Sequence, residues 1–212
     1  LFCRAGFFGL GSDDWPGGGL IMKHLLSLVL AVALLLPGFA DARSTYDRHF
    51  QKNAKRFFAM AVDWRWFKAQ AMAESALDPF AVSHVGARGL MQLMPFTSAE
   101  MSRVLGVPDL PFDPGLNILM GVAYNRKLWD FWHAPRTKRE RLMLVFASYN
   151  AGPGNLLKAQ RLAKRKGGCS CTWKCLAPFL GTFTGGRARE TKGYVIRVKK
   201  NFFDMIYRRK NE

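Results

Sequence analysis

The sequence predicts an all-α single domain, and three observations carry that expectation. Apolar residues recur at three- and four-residue spacing through most of the chain, with no convincing strand alternation. Helix-start signals stand ahead of several of these runs: Thr97-Ser98-Ala99-Glu100, Asp113-Pro114 and Thr137-Lys138-Arg139-Glu140. The chain has 212 residues, 49% of them apolar and 13% aromatic, enough to bury one sizeable core. No internal repeat or second domain is visible.

The N-terminal part is read separately. Residues 1–21 begin with Leu1, are Gly-rich and show no periodicity, so they are expected to be upstream sequence outside the native protein. Residues 22–42 read as a secretory signal peptide. Lys23 gives a basic start, Leu25 to Leu36 an apolar run, and Ala40-Asp41-Ala42 a small-residue cleavage site. That run is shorter than the ~20 apolar residues a membrane span needs. An uncleaved N-terminal anchor is the alternative. The domain is then 43–212, starting at Arg43, and the expected location is periplasmic or extracellular.

The elements follow in order. Thr45 to about Ala61 is predicted as an amphipathic helix. Asp63 caps a second, Trp64 to about Ala76, which Asp78-Pro79 stops because a residue before proline is pushed out of helical dihedrals. A loop from Phe80 to Arg88 follows, then a short helix carrying Leu90 to Met94. The capping box at Thr97 opens a helix to about Leu105, and Gly106 to Phe112 is loop. Asp113-Pro114 starts a helix reaching about Trp132. Thr137 starts another, with Leu142, Val145, Phe146 and Tyr149 on one side, ending near Gly152. Asn155 to Lys166 is helical, and Gly167 to Gly186 irregular. A last helix from Glu190 to Arg209 carries a buried stripe of Tyr194, Val198, Phe202 and Ile206.

Charge and cysteines bound the partners. Losing residues 1–42 removes Arg4 and Lys23 with Asp13, Asp14 and Asp41, leaving 30 basic and 12 acidic residues, net +18. So basic a chain seeks polyanions, and for an exported protein these are envelope polymers; no nucleic acid is expected. Cys169, Cys171 and Cys175 remain. One local disulfide is expected, its pairing open. A zinc site would lack its fourth ligand, so no metal and no cofactor is expected.

The chemistry centres on Glu74. It sits near the end of its helix, where the dipole disfavours a carboxylate, among apolar Phe67, Ala71, Ala73 and Leu77. A carboxyl kept protonated by such surroundings suits a glycosidic acid. Position alone also fits a solvated helix-end glutamate. Of the other carboxylates, Asp78 is explained as a turn residue and Asp113 as an N-cap. Glu190 opens Glu190-Thr191-Lys192-Gly193-Tyr194-Val195, where a helix-start acid is the plain reading.

Glu74-Ser75 is followed by Ala81-Val82-Ser83 with Val85-Gly86-Ala87. Then come Gly89-Leu90-Met91-Gln92 with Met94-Pro95, and Asn117-Ile118 with Gly121 and Tyr124. Tyr149-Asn150-Ala151-Gly152 and Glu190-Thr191 with Tyr194-Val195 complete the series. In this order the motifs resemble the Slt-type (family 1) lytic transglycosylases, lysozyme-like enzymes that cut the glycan strands of bacterial cell wall. The resemblance implies a lysozyme-like fold and a peptidoglycan substrate. It implies that Glu74 acts first as acid and then as base, cleaving between N-acetylmuramic acid and N-acetylglucosamine and leaving a 1,6-anhydro end. It implies that Ser83, Gln92 and Tyr149 position the sugars or an acetamido group. Met94 would pack in the cleft, and Glu190 and Tyr194 would support its floor near Glu74. Asn150 joins them, with shaping of the turn beside Gly152 as its other role. For Met94 and Tyr194, core packing is the other role.

The chain departs from that family in Ala163 to Arg189, a long, basic, Cys-containing insertion. It leaves strand-interior against strand-end cleavage open. The alternatives are a hydrolytic muramidase on the same scaffold and a non-catalytic wall-binding or scaffold protein. An envelope-spanning machine is the further partner considered.

Overall fold

The computed structural model describes residues 45–208. The expected upstream segment, signal peptide and cleavage point lie outside the described residues.

The first helix, α1 (Asp47–Phe58), turns Phe50, Ala54 and Phe58 inward at four-residue spacing. The second, α2 (Arg65–Ser75), buries Trp66, Phe67, Lys68, Ala69, Gln70 and Ala71 in succession. A helix covered on all sides is a central one. Of its buried polar residues, Lys68 donates through its ammonium to Asp47 of α1. Four helices follow: α3 (Pro95–Leu105), α4 (Pro114–Phe131), α5 (Lys138–Ala151) and α6 (Pro153–Arg165). Then come α7 (Trp173–Leu176), a 3-10 turn (Ala177–Phe179), α8 (Gly181–Thr184) and the long α9 (Arg187–Arg208). Among the described residues the only β-type pairing is isolated, Val82 with Arg88 and Arg88 with Leu93. The fold is all-α, as the periodicity predicts.

The most extensive helix contact is α9 along α2. It uses the predicted stripe: Tyr194, Val198 and Phe202 are buried, and Ile206 is partly so. The Phe202 ring stacks on Trp66 with centroids 3.7 Å apart and planes 7° from parallel. On the other flank α1 packs on α4, and α4 on α5. The two predicted caps at Asp113 and Thr137 are present: their side chains accept from the Leu116 and Glu140 N–H groups, at 2.7 and 3.2 Å.

Several boundaries differ from the sequence expectation. There is no helix over Leu90 to Met94. Positive φ at Gly89 (73°) and Gln92 (45°) folds Arg88–Leu93 into a turn closed by two backbone hydrogen bonds of 3.0 Å between its ends. Thr97 does not open α3. That helix starts earlier at Pro95, because proline is already set for the first helical position and its missing N–H is no loss there. The segment 167–186 is not irregular throughout: from Trp173 it coils into α7, the 3-10 turn and α8, and Leu176 and Leu180 join the core. The second helix, α2, ends at Ser75, within a residue of the expected Ala76 and ahead of Pro79. Ala76 and Leu77 both take left-handed dihedrals (φ 54° and 69°), which turn Leu77 back onto the core. Strain of about 1–3 kcal/mol at such a residue persists only where surrounding packing imposes it.

Candidate active site

Glu74 occupies the last turn of α2, half-buried. Across from it on α9, the Tyr194 hydroxyl donates to Glu74 Oε1 at 2.5 Å. Burial pushes the Glu74 carboxyl up to about 8. The Tyr194 hydrogen bond and the positive charge of Arg197 oppose that rise, and the negative charge of Glu190 adds to it. At neutral pH the group is therefore mostly a neutral acid, held one proton-transfer away from a carboxylate.

The turn 88–93 is bolted to the end of α2 and to α4. Ser75 Oγ donates to the Leu90 carbonyl at 2.9 Å. Asn117, at the start of α4, accepts from the Met91 N–H at 2.7 Å and donates to the Arg88 and Pro111 carbonyls at 3.1 and 2.8 Å. This crowding explains Gly89: a Cβ there would meet the Pro111 oxygen at 2.2 Å and Asn117 Nδ2 at 2.5 Å. Gly121 is needed for the same kind of reason, since a Cβ would sit 2.7 Å from the Met91 side chain.

The residues singled out in the sequence fall into three settings. Tyr149 and Asn150 lie at the end of α5. The Tyr149 hydroxyl donates to the Met91 carbonyl at 2.8 Å, and burial, with the Glu74 charge second, holds its phenol well above the ordinary range. Asn150 Oδ1 accepts from Thr191 Oγ1 at 2.7 Å, tying α5 to α9. Ser83 and Gln92 shape the loops after Glu74. Ser83 Oγ accepts from the Ala87 N–H at 3.0 Å, and Gln92 Nε2 donates to the Ala81 and Gly89 carbonyls, both at 3.0 Å. Met94 is 42% exposed. Tyr194, by contrast, is buried, beneath the acid rather than on an open wall. Glu190 is exposed one helical turn before it. Asp78 accepts from the Phe80 N–H at 2.8 Å, the turn role expected of it.

Two further residues belong to the site and escape a sequence reading. Gln70 lies one turn before Glu74 on α2 and is fully buried. Its Oε1 accepts from Asn125 Nδ2 of α4 at 2.7 Å, while its own Nε2 has no partner within hydrogen-bonding geometry. Burial, then the charge and hydrogen bond of Glu74, raise the Tyr194 phenol well above its usual range. Asn125 thus ties Gln70 of α2 to α4, and Tyr194 ties Glu74 of α2 to α9. No motif marks Gln70; a polar residue four places before Glu74 in an apolar helix is the only trace of it.

Beside this centre lies a groove of about 470 Å³ lined by Phe96, Thr97, Tyr124, Lys127, Phe131 and Pro153. The Tyr124 ring meets Tyr149 edge-on at 5.2 Å, so the groove adjoins the acid's neighbours. Among the described residues no group of three His, Cys, Asp or Glu side chains is placed to hold a metal ion. Among the described residues one disulfide, Cys169–Cys175, closes the loop ahead of α7, and Cys171 is free and exposed.

Residues 50–169 match the family model described as the transglycosylase SLT domain. The chain is 36% identical over 159 residues to membrane-bound lytic murein transglycosylase F of Desulfosudis oleivorans, covering 70% of this chain and 34% of that protein. It thus spans about a third of the length of the curated relative it matches. Among solved structures it resembles the 70 kDa soluble lytic transglycosylase Slt70 from Escherichia coli, with a TM-score of 0.54 and 27% identity. That match covers 72% of this chain and 23% of the other. An inactive mutant of lytic transglycosylase Slt from Pseudomonas aeruginosa shares the fold, with a TM-score of 0.59 at 24% identity over 86% of this chain and 28% of the other.

Proposed function

The chain belongs to the transglycosylase SLT domain family, and from that premise we propose that it is a lytic transglycosylase of peptidoglycan acting in the cell envelope, outside the cytoplasm. Its reaction breaks the bond between N-acetylmuramic acid and N-acetylglucosamine. The single observation that carries this reading is the Glu74 carboxyl, pushed up to about 8 and gripped by Tyr194 on one oxygen only.

The chemistry follows from that grip. With Oε1 accepting from Tyr194, the acid proton resides on Oε2. Glu74 delivers it to the glycosidic oxygen as the bond from that oxygen to the anomeric carbon breaks. Positive charge builds at the anomeric carbon and is shared by the substrate's own acetamido group, the substrate-assisted route that needs no second carboxylate. Glu74, now ionised, removes the proton from the C6 hydroxyl of the same sugar. That oxygen bonds to the anomeric carbon and closes a 1,6-anhydro ring. Glu74 ends protonated, as it began, and no water is consumed. The Tyr194 hydrogen bond stabilises the carboxylate midway, since a donor to the charged form favours it. Proton transfer of this kind contributes about 100- to 10,000-fold.

Support comes also from the rigid framing of the site. Ser75, Asn117 and Tyr149 each anchor the 88–93 turn, so Gln92 and Met94 are presented from a fixed backbone. Rigid presentation is what converts binding into rate. The test is digestion of purified sacculi with mass analysis of the products. Fragments one water lighter than hydrolysed ends are expected; hydrolysed ends alone would make the protein a muramidase, and no fragments at all a binding protein.

A further inference from the structure

Between Gly152 and Arg189 the sequence holds eight Lys and Arg and no Asp or Glu. Elsewhere in the described chain some basic residues are paired, as in Arg126–Asp130 at 2.8 Å and Lys200–Asp204 at 2.5 Å. None of the basic side chains from Lys158 to Lys174 takes part in an ion pair among the described residues, and all are exposed.

Helix geometry gathers three of them. α6 buries Leu156, Ala159 and Ala163. At ~100° per residue, Lys158, Arg161 and Arg165 then fall together on the opposite side, one three-residue and one four-residue step apart. The stripe also has a direction. α6 begins at Pro153, which lines the groove beside the site. Lys158 lies five residues on, about 8 Å along the axis.

We propose that this stripe is a second contact for the polymer substrate, holding the free carboxylates of its peptide chains while the cleft holds the glycan. It rests on the peptidoglycan reading above. Arginine and lysine suit carboxylates, arginine through paired N–H groups. No large apolar side chain between Gly152 and Arg189 is strongly exposed. A helix that lies in a bilayer surface needs such side chains to insert, so the stripe fits a hydrated polyanion better than a membrane.

The test reads binding without turnover. Full-length protein in a Glu74→Gln background is sedimented with purified sacculi, with and without Lys158→Gln, Arg161→Gln and Arg165→Gln together. Glutamine keeps helix propensity, and circular dichroism checks the fold. The triple variant should bind about tenfold more weakly at low salt, the usual sum of three exposed ionic contacts. Binding without the triple change should fall to the same level at 1 M salt, where screening acts within about 3 Å. Sacculi whose carboxylates have been amidated should bind as weakly, a result that depends on no mutant. The charge-keeping set Lys158→Arg, Arg161→Lys and Arg165→Lys should retain binding. Undiminished binding by the triple variant, or to amidated sacculi, overturns the proposal. So does stripe-dependent binding to anionic phospholipid vesicles that exceeds binding to sacculi. With Glu74 restored, the triple variant should cleave a short soluble muropeptide at the unchanged rate. If neither protein cleaves it, the enzymatic reading fails while the binding result stands.

Discussion

Tyr194 and Glu74 are 120 residues apart in sequence and 2.5 Å apart in space, hydroxyl to Oε1. The bond joins the last turn of α2 to the buried stripe of α9. It fixes which carboxyl oxygen is free for chemistry, and it moderates a pKa that burial alone would raise further.

Replacing Glu74 with Gln should remove sacculus digestion, by at least about 100-fold. The amide is nearly isosteric and can still accept from Tyr194, so circular dichroism should be unchanged. More than a few per cent of residual activity in a folded variant would falsify the assignment of Glu74 as the acid.

The same carboxyl predicts a stability slope. Its folded-state pKa of about 8 lies above the ordinary 4.5, so between these values the folded state binds more protons than the unfolded one. Stability must then fall as pH rises through that window. Urea denaturation at pH 5, 6.5 and 8 should show this decline in the wild type and a shallower one in Glu74→Gln. Parallel pH profiles would mean that Glu74 does not carry the raised pKa.

Tyr194→Phe removes a hydrogen bond that favours the ionised carboxylate. The alkaline limb of the pH–rate profile should move upward by roughly one to two units, because a hydrogen bond to a charged group is worth about 1.5–3 kcal/mol. The rate at its optimum should drop, since the carboxylate formed midway loses its donor. An unmoved alkaline limb with a lower rate would leave Tyr194 with a packing role only.

Gly89→Ala should cost several kcal/mol. Left-handed φ contributes about 1–3 kcal/mol, and the Cβ collides with the Pro111 carbonyl besides. Thermal or urea unfolding measures it. Gly86→Ala is the control: its φ is also positive, at 83°, but a Cβ there meets nothing within 4 Å. Equal losses at the two positions would mean that the contact with Pro111 and Asn117 adds nothing.

The sequence by itself determined the helical class, the caps at Asp113 and Thr137, and the buried stripe of α9. These rest on local chemistry: side-chain spacing against a 3.6-residue turn, and a hydroxyl or carboxylate reaching N–H groups three residues on. It also singled out Glu74, through its motif and its place at a helix end. The tertiary structure alone decided what surrounds that carboxyl. Gln70 reads as one more polar residue until α4 closes over it, and for Tyr194, placed near Glu74 by the family motif, only the packing of α9 on α2 brings its hydroxyl onto the carboxyl. The left-handed exit from α2 and the turn at 88–93 were decided there too. Left-handed dihedrals at Ala76, Leu77 and Gln92 oppose local preference, and only packing against the core and the hydrogen bonds of Asn117 and Tyr149 hold them in place.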